Sequence, residues 1–127
     1  MDAATREQVR RRAEDRCEYC GLPQEALPVA AFHIEHVIAK QHGGTDDLSN
    51  LALACFHCNQ HKGPNLAGID PETAQMTSLF NPRTQLWREH FALQGIEIIG
   101  LTPTGRTTVR VLAMNSDLQK QLRARLE

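Results

Sequence analysis

Cys17 and Cys20 form one Cys-x-x-Cys pair, and Cys55 and Cys58 form a second, with 34 residues between the pairs. Thiolates at this spacing wrap a single metal ion as a knuckle, and Gly21 eases the first turn. Two knuckles complete a tetrahedral four-sulfur shell that suits structural Zn²⁺. Four protein ligands leave no open position, so such a zinc shapes the chain and does no chemistry. Two disulfides or a redox pair are the competing readings. A redox centre needs only one pair, and a reducing compartment disfavours disulfides.

A second group of chemically capable residues lies between and after the knuckles. Phe32-His33-Ile34-Glu35-His36-Val37 comes first, then Asn50, then Asn59-Gln60-His61-Lys62 directly after Cys58. Hydrolysis of a phosphodiester needs a base to activate water, a cation to neutralise charge at phosphorus, and help for the leaving oxygen. A neutral imidazole is a natural base near pH 7. A carboxylate and an amide oxygen are hard ligands that suit Mg²⁺ or Mn²⁺. His33 reads equally as an accessory metal or phosphate ligand and as a hydrogen-bonded scaffold residue. His61 and Lys62 read either as phosphate contacts or as helix surface. His57 and His42 read as exposed, and His90 and Trp87 as core.

His33-Ile34-Glu35-His36, Gly43-Gly44, Leu48-Ser49-Asn50-Leu51 and Cys55-Phe56-His57-Cys58-Asn59-Gln60-His61-Lys62-Gly63 closely resemble, in order and spacing, the HNH endonuclease family. The stretch from Asp70-Pro71 to Phe91, with Leu79-Phe80-Asn81-Pro82-Arg83, is similar to an extension of some stand-alone bacterial members. The resemblance implies a ββα-metal core, in which two strands, a loop and a helix hold one divalent ion. It implies His36 as general base and Asn50 as the residue that positions it and braces the loop. It implies Glu35 and Asn59 as ligands of a catalytic Mg²⁺ or Mn²⁺. Family members often have Asp where this chain has Glu35, and many have His where it has Asn59. In a regular strand Glu35 and His36 point to opposite faces. A site using both requires the strand to twist, bulge or end there.

The elements that must position these residues are only partly patterned. Thr5-Arg6-Glu7-Gln8 has the form of a capping box, so a helix is expected over about 6–16. Residues 29–38 are rich in β-formers, and 51–54 form a short apolar segment. A helix is expected from about Cys58 to Gly63-Pro64, and a loop over 64–80. Asn81-Pro82 reads as a cap followed by proline in the first turn, starting a helix that puts Leu86, Trp87, His90 and Phe91 on one face. Residues 96–101 and 106–112 read as a hairpin around Thr102-Pro103-Thr104-Gly105. Asn115 reads as the cap of a last helix with Leu118, Leu122 and Leu126 in line.

The expected whole is an α+β fold in one domain, 1–127. Its core, 17–63, is a ββα-metal (HNH, His-Me finger) motif with a four-cysteine structural zinc. A helix–hairpin–helix extension, 64–127, completes it. With 127 residues, one Trp, one Tyr and four Phe, the core is modest, and a metal staple is in keeping with that. The net charge of −1 makes no bulk case for nucleic acid, yet its distribution is uneven. Residues 17–82 hold two lysines against seven acids, and 83–127 hold seven basic residues against four acids. Arg83, Arg106 and Arg110 are therefore candidates for DNA phosphate contact. No apolar run reaches membrane-spanning length, and the charged start lacks a signal-peptide core, so a cytoplasmic protein is expected. The expected activity is Mg²⁺- or Mn²⁺-dependent endonucleolytic hydrolysis of DNA, by nicking or double-strand cleavage, with DNA as partner and no small-molecule cofactor. The alternative is a zinc-stapled module that binds nucleic acid without cutting it. Oligomeric state is left open.

Overall fold

In a computed structural model describing residues 1–126, β1 (His33–His36) and β2 (Leu51–Ala54) form an antiparallel ladder. Its register runs unbroken from His33 opposite Ala54 to His36 opposite Leu51. All four residues of β2 are buried. Alternation gives the ladder two faces. Small Ala52 and Ala54 share a face with His33 and Glu35, and this face receives α2 (Phe56–Lys62). Leu51 and Leu53 share the other face with Ile34 and His36.

The first helix, α1 (Ala3–Arg12), starts earlier than expected. Asp2, not Thr5, is the cap, accepting from the Thr5 N–H at 2.8 Å. Only Val9 of this helix is buried. Docking relies on arginines: Arg10 donates to the Phe32 carbonyl, and Arg12 to those of Leu48 and Leu51.

The C-terminal half departs from the expected helix–hairpin–helix order. The expected loop contains a small hairpin, β3 (Ala67–Ile69) with β4 (Met76–Ser78). Asn81 closes a turn rather than starting a long helix. Its side chain accepts from Arg83 N–H, while Gln85 Oε1 accepts from Asn81 N–H. The helix that follows, α3 (Trp87–His90), is four residues long, and Phe91 already belongs to β5 (Phe91–Gln94). Gly95, at φ 64°, turns the chain into β6 (Glu97–Gly100). Thr102 and Pro103 then act as cap and first-turn proline of α4 (Pro103–Val111), so residues 106–111 are helical and Leu112 is the C-terminal cap, with no strand there.

Ser116, not Asn115, caps α5 (Asp117–Ala124). Asn115 instead pairs with the backbone of Ile98 at both N–H and carbonyl. Of the expected leucine row, Leu122 is buried, while Leu118 and Leu126 are exposed. The inward face carries Gln119 and Arg123 instead, because polar groups wait there. Arg123 donates to the carbonyls of Ile96 and Met114.

Several ties join this half to the first. Trp87 Nε1 donates to the Tyr19 carbonyl at 2.7 Å, Arg83 pairs with Glu18, and Tyr19 packs edge-on against Phe80. The helix α4 lies so close to the chain at His90 that a Cβ on Gly105 would sit 2.0 Å from the His90 carbonyl oxygen. Gly105→Ala should therefore lower unfolding free energy by about 3 kcal/mol, the upper range of overpacking costs. Urea denaturation measures this, and an unchanged midpoint would mean the α4 contact is slack.

Candidate functional site

The four cysteines converge. Their sulfurs all lie within 4.8 Å of one another, every one is buried, and none is in a disulfide. The fold builds each half of this cluster locally. Glu18 holds both backbone groups of Leu53 in β2, its own N–H donating to the Leu53 carbonyl and its carboxylate accepting from Leu53 N–H. Cys55 caps α2, its sulfur accepting from Cys58 N–H. Hydrogen bonds from Cys17, then Cys20 and Cys58, hold the Cys55 thiol far below its usual pKa, while those of Cys20 and Cys58 are pushed up. The donor set and the closed shell fit structural Zn²⁺. Gln119, which sequence reasoning did not single out, directs its side-chain amide at Cys20 and Cys55 sulfurs, 3.6 and 3.9 Å away.

His36 ends β1, and the loop after it is held from several sides. The Asn50 side chain accepts from Ile38 N–H and donates to the carbonyls of Ile38 and Thr45. Its backbone carbonyl accepts from Val37 N–H. Gly44 passes so close that an added Cβ would lie 1.7 Å from the Ile38 oxygen. This path brings Asp46 round to His36, with Oδ1 2.7 Å from Nε2, and Lys40 approaches the other oxygen at 3.3 Å. The hydrogen bond with His36, followed by that with Lys40, lowers the Asp46 pKa. A carboxylate at Nε2 favours the tautomer with the proton there, which leaves Nδ1 as a proton acceptor. Asp46 was not among the residues singled out in sequence. Asn50 touches the loop and not the imidazole.

Glu35 lies elsewhere. It is 6% exposed, and its Oε1 is 2.7 Å from Nζ of Lys62, itself 2% exposed. Burial raises the Glu35 pKa against the opposing pull of Lys62. The Tyr19 hydroxyl is buried beside it, and burial followed by the Glu35 charge pushes that pKa well up. The unbroken β1 register keeps Glu35 and His36 on opposite faces, so the strand makes none of the twist or bulge that a shared site requires. Asn59 sits half-buried on α2, on the Glu35 side of the ladder. Hydrated Mg²⁺ needs accessible, uncompensated oxygens. Glu35 is enclosed and ion-paired with Lys62, although neither of its oxygens accepts a hydrogen bond, so the expected Glu35 and Asn59 pair does not fit a hydrated ion as arranged.

Residues 17–65 match the family model described as HNH endonuclease. The match spans both cysteine pairs, His36, Asn50 and Asn59. Neither the curated proteins nor the solved structures gave a significant match.

Around the matched segment the other expected contacts are distributed unevenly. Lys62 is too deeply buried to reach a phosphate. His61 is exposed and stacks on His57 at 4.1 Å, and desolvation, then His57, lowers its pKa. His57 is half-buried rather than free, bonded to the Ala113 carbonyl. His33 lies against Phe56 with ring centroids 5.8 Å apart. Arg83 is occupied by Glu18, and Arg106 by Asp70 and Glu72. Arg110 is exposed and has no ion pair among the described residues. A cleft of about 570 Å³ opens beside Arg16, Leu22, Trp87 and Leu93, but none of the expected catalytic residues lines it. No helix among the described residues is long and apolar enough to cross a membrane.

The cluster predicts about one zinc per chain in reduced protein. Cys55→Ser should lose both zinc and the cooperative melt, because it removes a thiolate ligand while folding is coupled to the metal. Elemental analysis with thermal melting checks this. A zinc-free protein with a normal melt would show that the cluster does not depend on metal.

Proposed function

We propose that the protein is a DNA endonuclease that hydrolyses phosphodiester bonds, with the HNH segment as its reactive centre and the four cysteines as a structural zinc site. The observation that carries this reading is the His36–Asp46 contact at 2.7 Å, on a loop braced by Asn50, inside the segment that matches the family. Asp46 holds the imidazole through Nε2. Nδ1 then takes a proton from water, and the water oxygen attacks phosphorus in line with the departing 3′-oxygen. The phosphorus–oxygen bond to that atom breaks and the departing 3′-oxygen takes a proton from solvent, giving 3′-hydroxyl and 5′-phosphate ends. Asn50 keeps the loop, and hence Asp46, in register with the strand end.

Magnesium or manganese enters through the family and would supply positive charge at the phosphorus oxygens. Glu35 is not free to hold it, so the ion has no assigned place in these steps. Of the three arginines expected at DNA, Arg110 is the one left exposed for a phosphate, since Arg83 and Arg106 already have carboxylate partners.

One observation favours the second reading, a zinc-stapled module that binds nucleic acid without cutting. The carboxylate next to His36 is withdrawn into an ion pair. Plasmid nicking by purified protein, with Mg²⁺ or Mn²⁺ against EDTA, separates the two. His36→Ala should cut roughly a hundredfold more slowly or worse, with zinc content and melting unchanged. Asp46→Asn should slow cutting by about tenfold or more, because an amide can donate to Nε2 and select the wrong tautomer. If His36→Ala cuts at the wild-type rate, His36 is not the base. Tight DNA binding with no nicking in any divalent ion would favour the binding module.

A further inference from the structure

We propose that Lys62 is a positioning residue for His36, and that Glu35 is its buried counter-charge rather than a metal ligand. The inference rests on the reading of His36 as the base. Lys62 Nζ lies 2.7 Å from Glu35 Oε1 and donates to the Val37 carbonyl at 2.9 Å. Those two groups belong to the residues immediately before and after His36. A single ammonium from α2 therefore grips β1 on both sides of the residue whose imidazole points to the opposite face.

The chemistry suits lysine. A compact head with three donors can serve a carboxylate and a carbonyl at once. The Val37 peptide is held at both ends, its carbonyl by Lys62 and its N–H by the Asn50 carbonyl. Ile38, the next residue, is held by the Asn50 side chain. The backbone at His36 is thus fixed from α2 on one side and from the loop on the other, leaving mainly the His36 side-chain torsions free. Neither Lys62 nor Glu35 can meet a phosphate or a hydrated cation without unpacking α2 from the ladder. Small displacements of a reacting group cost about a hundredfold in rate, so loss of this grip should be read in turnover and not in binding.

The test uses the full-length, zinc-loaded protein. The double variant Glu35→Gln with Lys62→Met removes both charges together, so neither is stranded in the core. Amide hydrogen exchange at Val37 and Ile38 is measured alongside plasmid nicking across a Mg²⁺ titration. The expected result is about tenfold faster exchange at Val37 and Ile38, with protection in β2 and zinc content retained. Turnover should fall by about tenfold or more, with KM and the half-saturating Mg²⁺ concentration within about twofold of wild type. Unchanged protection at Val37 and Ile38, or unchanged turnover in a folded double variant, overturns the proposal. So does a rise of about tenfold in half-saturating Mg²⁺ for Glu35→Gln alone, with the rate restored by excess metal, since only a ligand behaves that way. If the double variant does not fold, the Glu35→Gln titration decides, and a metal requirement within about twofold of wild type supports the proposal. Loosening at Val37 and Ile38 in a protein whose wild type never nicks DNA would uphold the grip on the strand and reject the nuclease reading.

Discussion

Four thiols from segments separated by 34 residues meet in one buried cluster, and the positions of β1, β2 and α2 follow from that meeting. The first knuckle sets Glu18 against Leu53 in both directions, which extends the β2 ladder toward Cys17. In the second knuckle, Cys55 ends β2's run and starts α2 in one step. A seven-residue helix has little stability of its own. It stands here because one end is capped by a sulfur in the cluster and the other end plants Lys62 under β1. His36 is therefore located by chemistry on the far side of its own strand.

Ionic groups do much of the registration in a core with few aromatics. Glu35 with Lys62, Arg83 with Glu18, and Asp70 with Arg106 each join elements distant in sequence. Buried pairs of this kind are weak sources of net stability, because desolvation consumes most of the attraction, yet leaving either partner alone is severe. Their value is selectivity among packings. A slip of β1 by one residue would send Glu35 to the wrong face and strand Lys62 without its partner.

The parts of the fold that could be read in the sequence are those whose cause is local. Cysteine spacing marks the four-sulfur cluster, and the apolar run 51–54 marks β2, because both depend on neighbours along the chain. The two cap-and-proline pairs show where local reading fails. Asn81-Pro82 and Thr102-Pro103 carry the same signal, but only the second opens a helix of any length. At the first, Gln85 takes the Asn81 N–H and closes a turn. The hairpin β3–β4 lies in a stretch without clear alternation, and it exists because α4 packs against it. At the site, His36 and Asn50 are legible as residue types. Their partners are not. Asp46 reaches His36 only through the path of the Gly43-Gly44 loop, and Lys62 reaches Glu35 only across a strand and a helix. Two of the three arginines expected at DNA, Arg83 and Arg106, are held by carboxylates that only the folded chain brings to them.

The Gln119 contact with the Cys20 and Cys55 sulfurs has a consequence in time. During synthesis all four cysteines emerge before the helix that covers them. Cys58 leaves the ribosome 61 residues ahead of Gln119. Throughout that interval the thiols face solvent, open to metal delivery and equally to oxidants. Once α5 docks, Gln119 covers the Cys20 and Cys55 sulfurs, and a metal held by the four thiols would be enclosed beneath the last helix to be made.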